Sequence, residues 1–196
     1  MLKRGSPILN RGDTRIDVVR HGEIVGGQRF CGSTDVPLSA VGWQQLWAAV
    51  SDDPGWQAVV TSPLQRCAKF AQAFAEQQQL PWHSDERLRE LHFGDWEGRD
   101  SAELWQHDRE ALSRFWANPA ERPPPNGESL AEFSRRVEAA WHDLRSRYSG
   151  QRVLVVSHSG VIRLLLCRQH GLPLSRLLEI EIKHGQRIAL DCCGWA

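Results

Sequence analysis

Short apolar runs alternate along the chain with longer stretches in which apolar residues recur every three or four positions. The runs Ile16 to Val19, Ala58 to Val60 and Val153 to Val156 are β-prone and too short for helices, so each predicts a strand buried on both faces. The C-terminal "RIALDC" predicts a further strand. Between these runs, Ser39 is placed to cap a helix carrying Trp43, Leu46, Trp47 and Val50 on one face. Ser62 with Pro63 behind it reads as the cap and first-turn pair of a second helix, whose stripe is Leu64, Cys67, Ala68, Ala71, Phe74 and Ala75. The stretch "ESLAEFSRRVEAAWHDLRSRY" sets Leu130, Phe133, Val137, Trp141, Leu144 and Tyr148 at spacings of three and four, which predicts a long amphipathic helix ending before Gly150. A last helix, from about Ser159 to Gln169, follows Val156 directly.

Strand and helix alternate, and that order predicts an α/β fold: three layers, α/β/α, around a mostly parallel central sheet. The segment from about residue 80 to 125 breaks the alternation. It is rich in Trp, charge and proline ("NPAERPPPNG") and reads as a helical insertion over the active-site edge of the sheet. No repeat is present. Residues 1–15, "MLKRGSPILNRGDTR", read as a leader outside the fold, leaving residues 16–196 as one domain.

Composition narrows the classes of function. Lysine plus arginine equals aspartate plus glutamate at 24 each, so no global field recruits nucleic acid or an acidic membrane. Anion binding must be local. The five cysteines are odd in number and lack zinc spacing, which points to a reducing cytoplasm without a disulfide framework or a structural metal. No apolar run has signal-peptide or bilayer-spanning character. The nine tryptophans, with Trp43, Trp47, Trp105 and Trp141 in helical segments, are explained for the most part by packing.

In α/β sheets ligands bind beyond the carboxyl ends of the strands. Arg20 and His21 lie just past the first strand, and His158 lies just past another, at the start of a helix whose free N–H groups favour an anion. A third strand end feeds "TSPLQR", where Arg66 in a first helical turn opposes the helix dipole unless something negative faces it. A phosphate resolves that misplacement, with Arg20 and Arg66 forking onto its oxygens. The insertion adds Glu90, Asp95, Glu97 and Asp100 as candidate proton donors. Each of these residues alone has an ordinary structural explanation. Together at one sheet edge, two histidines, two arginines and an acid are the parts for phosphoryl transfer through a phosphohistidine.

The pieces "VVRHGE", "DVPLSAVGWQQ", "TSPLQRCAKFA", "LRELHFGDWEG", "NGESLAEFSRRV" and "VVSHSG" resemble the histidine phosphatase superfamily, in family order and over most of the chain. The resemblance implies that His21 is the nucleophile, that Arg20, Arg66 and a protonated His158 hold the phosphoryl group, and that Glu90 is the general acid and base. It implies that Gly22 permits close backbone approach, that the Ser159 amide donates to the phosphate, and that neither metal nor cofactor takes part. The family's asparagine seven residues after the arginine is here Gly27, so either Gln28 replaces that contact or it is absent. The loop "GGQRFCGSTDVPLS" resembles the α-ribazole phosphatase branch, whose substrate is a nucleotide-like 5′-phosphate in cobalamin assembly. Gln28, Arg29 and Phe30, with Trp96 and Arg99 from the insertion, are the expected selectors of a small phosphomonoester. A monomer or homodimer is expected.

Two rivals remain at this stage. A phosphoglycerate mutase-like phosphotransferase returns the phosphoryl group to a sugar acid. A non-catalytic phosphometabolite-binding domain needs neither nucleophile nor acid, and the presence of His21 and Glu90 argues against it.

Overall fold

The computed structural model describes residues 14–52 and 54–191. Its sheet has five strands: β1 (Arg15–Arg20), β2 (Ala58–Thr61), β3 (Trp82–Ser84), β4 (Arg152–Ser157) and β5 (Arg187–Leu190). Their order is β3-β2-β4-β1-β5, with every pairing parallel except that of β1 and β5. The three apolar runs became the three inner strands. β3, with Trp82 and Ser84 exposed, lacks an apolar run and had no signature in the pattern.

Helices cover both faces. α1 (Ala40–Ala49) and α2 (Gln65–Gln78) bury Leu46, Phe70 and Phe74 against Val19, Val59, Leu154 and Val156 on one face. α5 (Leu130–Arg147) and α6 (Ser159–Gln169) bury Phe133, Val137, Ile162 and Leu165 against Ile16, Val18, Val60, Val153 and Val155 on the other. Successive side chains of a strand point to opposite faces, so each inner strand feeds two cores.

Several boundaries differ from those predicted. β1 begins at Arg15, one residue inside the expected leader, and residues 1–13 of that leader lie outside the described residues. The stretch expected as an insertion begins within the sheet, at β3. Beyond it come two 3₁₀ turns, Glu86–Leu88 and Gly94–Trp96, and the helices α3 (Ser101–His107) and α4 (Arg109–Ala117). Ser62 does not cap α2. The N-cap is Leu64, the Asp35 carboxylate accepts from the Gln65 amide at 2.7 Å, and the Ser62 hydroxyl is engaged by His158. The tryptophans divide: Trp56, Trp96 and Trp141 are buried, but Trp82, Trp105 and Trp116 are exposed, with Trp105 and Trp116 stacked on each other.

Candidate active site

β1 and β4 end level with each other. Their register pairs Arg20 with Ser157, and the His21 amide donates to the Ser157 carbonyl at 2.8 Å. The residues that follow, His21 and His158, therefore stand side by side, with ring centroids 5.2 Å apart in a T-shaped contact. β2 ends at the same edge, where the Ser62 amide donates to the Val156 carbonyl.

Hydrogen bonds fix both imidazoles as opposite tautomers. His21 Nδ1 lies 2.7 Å from the Gly22 carbonyl, which can only accept, so Nδ1 carries the proton and Nε2 is the basic nitrogen. His158 Nδ1 receives the Arg66 Nε–H at 3.3 Å, so its proton is on Nε2, which donates to the Ser62 hydroxyl at 2.7 Å. His158 is thus neutral, contrary to the expected imidazolium. Burial is the main cause, followed by Arg66, and both histidines lie well below the usual histidine range.

Arg66 is fully buried but is not turned toward an open pocket. Its terminal nitrogens donate to the carbonyls of Thr34, Cys31 and Gly32, so the guanidinium organises the loop after β1. The expected fork of Arg20 and Arg66 is therefore not what this arrangement offers: Arg66 contributes its field from behind His21. Arg20 does reach the cavity. One terminal nitrogen donates to the Ile182 carbonyl at 2.6 Å, and its buried Nε has no partner.

Glu90 reaches the same edge from the 3₁₀ segment region. Oε2 accepts from the Gly160 amide at 3.0 Å and from the Ser159 hydroxyl at 3.2 Å, and Oε1 accepts from the Leu91 amide. The anion-favouring end of α6 is thus met by the protein's own carboxyl group. Its backbone is clamped from behind: Arg136 donates to the carbonyls of Arg87, Arg89 and Glu90 while pairing with Glu128. Glu97 is employed elsewhere. It accepts from the amides of Gly32, Ser33, Thr34 and Phe93 and from the Thr34 hydroxyl, tying the loop after β1 to the insertion.

A cavity of about 370 Å³ gathers Arg20, His21, Gly27, Gln28, Arg29, Phe30, Glu90 and Ser159. Trp96 and Arg99, expected as selectors, are not among its walls. Trp96 is fully buried, donating to Asp108 and packed on Phe30, and Arg99 is paired with Glu103. Gly22 faces helix α1 through its missing side chain, since a Cβ there would lie 2.1 Å from the Gly42 carbonyl. Among the lining residues that the sequence did not single out is His184, whose ring centroid is 5.7 Å from that of His21. A second cavity of about 530 Å³ shares Phe30, Glu90, Phe93 and Ser159 with the first and continues between Phe115, Trp116, Phe133 and Leu178, with Arg163 as its one arginine.

A profile of the histidine phosphatase superfamily (branch 1) matches residues 16–194. The adenosylcobalamin/alpha-ribazole phosphatase of Salmonella typhimurium is 32% identical over 185 residues, which span 91% of this chain and 91% of that protein. Among solved structures, Bacillus stearothermophilus YhfR superposes with a TM-score of 0.86 at 29% identity, covering 93% of each chain. The alpha-ribazole phosphatase from Shigella flexneri superposes with a TM-score of 0.79 at 33% identity, covering 90% of each.

Proposed function

The chain belongs to the histidine phosphatase superfamily, and from that premise we propose that it hydrolyses phosphomonoesters through a phosphohistidine formed on His21. The observation that carries this reading is the pairing of a locked imidazole with an acid on one cavity wall. His21 holds its proton on Nδ1 against Gly22, and Glu90 lines the same cavity. In the first step Nε2 bonds to phosphorus as the bond from phosphorus to the ester oxygen breaks, and Glu90 protonates the leaving alkoxide. In the second, Glu90 takes a proton from water, whose oxygen displaces the imidazole and releases orthophosphate. Such a proton donor contributes about 10²–10⁴-fold. Charge on the phosphoryl oxygens is met by Arg20 directly and by Arg66 through its field, which is where phosphoryl transfer needs help most. The low basicity of His21 keeps Nε2 free to attack at neutral pH.

The alcohol part of the substrate lies beyond Glu90, in the larger cavity. Its walls are mostly aromatic and aliphatic, with Arg163, Ser175 and Glu179 among them, so a ring-bearing alcohol fits them better than a sugar acid, and α-ribazole 5′-phosphate is the substrate we propose. Gln28, Arg29 and Phe30 stand at the junction as the selecting residues. Free Cys31, Cys67 and Cys167 accord with a reducing cytoplasm as the site of action, and among the described residues no helix is long and apolar enough to cross a membrane.

The test is orthophosphate release from α-ribazole 5′-phosphate, 3-phosphoglycerate and sugar phosphates, with rapid-quench trapping of the enzyme. Wild type is expected to prefer the ring-bearing ester and to form an acid-labile adduct, and His21→Ala to do neither. An adduct retained in His21→Ala refutes the mechanism. A preference for 3-phosphoglycerate refutes the substrate alone.

A further inference from the structure

β5 is the one antiparallel strand, so it is the residues before it that reach the edge where β1 and β4 end. Those residues form a tight turn strapped to β1. The Arg20 amide donates to the Gln186 carbonyl at 3.0 Å, and the Gly185 amide donates back to the Arg20 carbonyl at 3.2 Å. Within the turn, the Lys183 amide donates to Gln186 Oε1 and the Gln186 amide to the Lys183 carbonyl. Gly185, at φ +68°, sits against helix α1, where a Cβ would lie 2.9 Å from the Gln45 carbonyl. His184 is thereby held on a rigid support, half-buried, with its ring tilted at 43° to that of His21.

The two imidazoles beside His21 differ in one respect. Both ring nitrogens of His158 are committed to Arg66 and Ser62. Those of His184 make no hydrogen bond among the described residues, and its ring lines the cavity with Arg20. We propose that His184 is the second histidine of the phosphoryl pocket, beside His21, and binds the phosphoryl group of the substrate directly, donating a ring N–H to one of its oxygens next to Arg20. This rests on the functional reading above, because it needs the cavity to receive a phosphoryl anion.

The surroundings give the contact a sense of charge. His184 shares the cavity with Arg20 and His21 from the end of β1, with Glu23 and Arg29 from the loop that follows and with Glu90, while the adjoining Gly185 rests on uncharged Gln45 of α1. Burial first, then Arg20, brings its pKa down to about 4, with Glu23 acting against them. In the free enzyme the ring is therefore neutral and keeps one N–H. A dianion arriving between Arg20 and His184 reverses the local balance and favours the imidazolium. Binding then takes up a proton, and affinity for the dianion grows as pH falls.

The test compares wild type, His184→Ala and His184→Gln, with inorganic phosphate as competitive inhibitor of p-nitrophenyl phosphate hydrolysis. Loss of a charge-assisted hydrogen bond is expected to raise the phosphate inhibition constant about 10–100-fold in His184→Ala. His184→Gln, which keeps an N–H donor, is expected to recover to within about threefold at neutral pH. It should also lack the extra tightening that wild type shows between about pH 7.5 and 5.5. An inhibition constant in folded His184→Ala within about twofold of wild type overturns the proposal. If His184→Ala does not fold, the pH dependence of His184→Gln decides, and a dependence matching wild type overturns it. Wild type that phosphate does not inhibit would instead overturn the phosphoryl reading of the cavity itself.

Discussion

Two neighbouring imidazoles carry their protons on different nitrogens, and each choice follows from a partner with only one possible role. A backbone carbonyl can only accept, which sets His21, and a guanidinium can only donate, which sets His158. The sequence put both histidines at one sheet edge, but the imidazolium it led one to expect at His158 is a neutral ring, because charge here depends on burial and on where Arg66 points. The acids divide in the same way. Glu90 and Glu97 are seven positions apart on one insertion, yet only Glu90 lines the cavity, while Glu97 accepts from five donors in two segments. Glu90→Gln is expected to lower kcat about 10²–10⁴-fold, with a smaller fall in melting temperature than Glu97→Gln, because its NH₂ meets one of two backbone amides rather than a cluster of four. Glu97→Gln places an NH₂ against backbone amides that can only donate, so it is expected to lower the melting temperature and loosen the loop while the chemistry persists. Matched kcat values for the two variants would remove Glu90 from the proton-transfer role.

Helix α6 shows how one element sets the acid in place. Its first residues supply the Ser159 hydroxyl and the Gly160 amide to Glu90, and the glycine is required by the closeness of that approach. A Cβ at position 160 would lie 2.2 Å from Glu90 Oε1. Gly160→Ala is expected to lower the melting temperature, because the hydrogen bonds lost by the displaced, buried carboxyl outweigh the helix preference of alanine over glycine. The displaced carboxyl lowers kcat by about tenfold to a hundredfold, as misplacement of about an ångström commonly does. Calorimetry and steady-state kinetics on the same sample check both halves, and a variant with wild-type kcat would show that Glu90 needs no such seat. Helix α2 carries the complementary lesson. Ser-Pro at its start looked like a cap, but Ser62 is drawn to His158 and Asp35, thirty residues earlier, takes the cap's place at Gln65. Local sequence identifies groups able to cap, and tertiary contacts decide which one does.

Across the molecule, three imidazoles gathered at one sheet edge link stability to pH. His21, His158 and His184 are all held below the ordinary value of 6.5 in the folded chain, with burial the leading cause for each. In the unfolded chain they protonate near that value, so below it the unfolded state binds more protons than the folded one. Stability is complete above about pH 6.5 and falls as pH drops from there toward the folded-state values. The melting temperature is expected to be level from about pH 8 to 7 and to decline below about 6.5, and a melting temperature that rises on acidification to about pH 5 would contradict this account. The sequence by itself determined the inner strands, the major helices and the parallel crossovers, because burial on two faces and amphipathic periodicity are local patterns. It also placed Arg20, His21, Arg66 and His158 at one edge, because in parallel strands the residue after each strand shares that edge. Only the tertiary structure decided where β3 pairs, that β5 runs the other way, that His184 therefore joins the cavity, and that Trp96 and Arg99 do not. Strand direction at a sheet margin and the path of an insertion are set by contacts between segments far apart in the chain, and no local spacing encodes them.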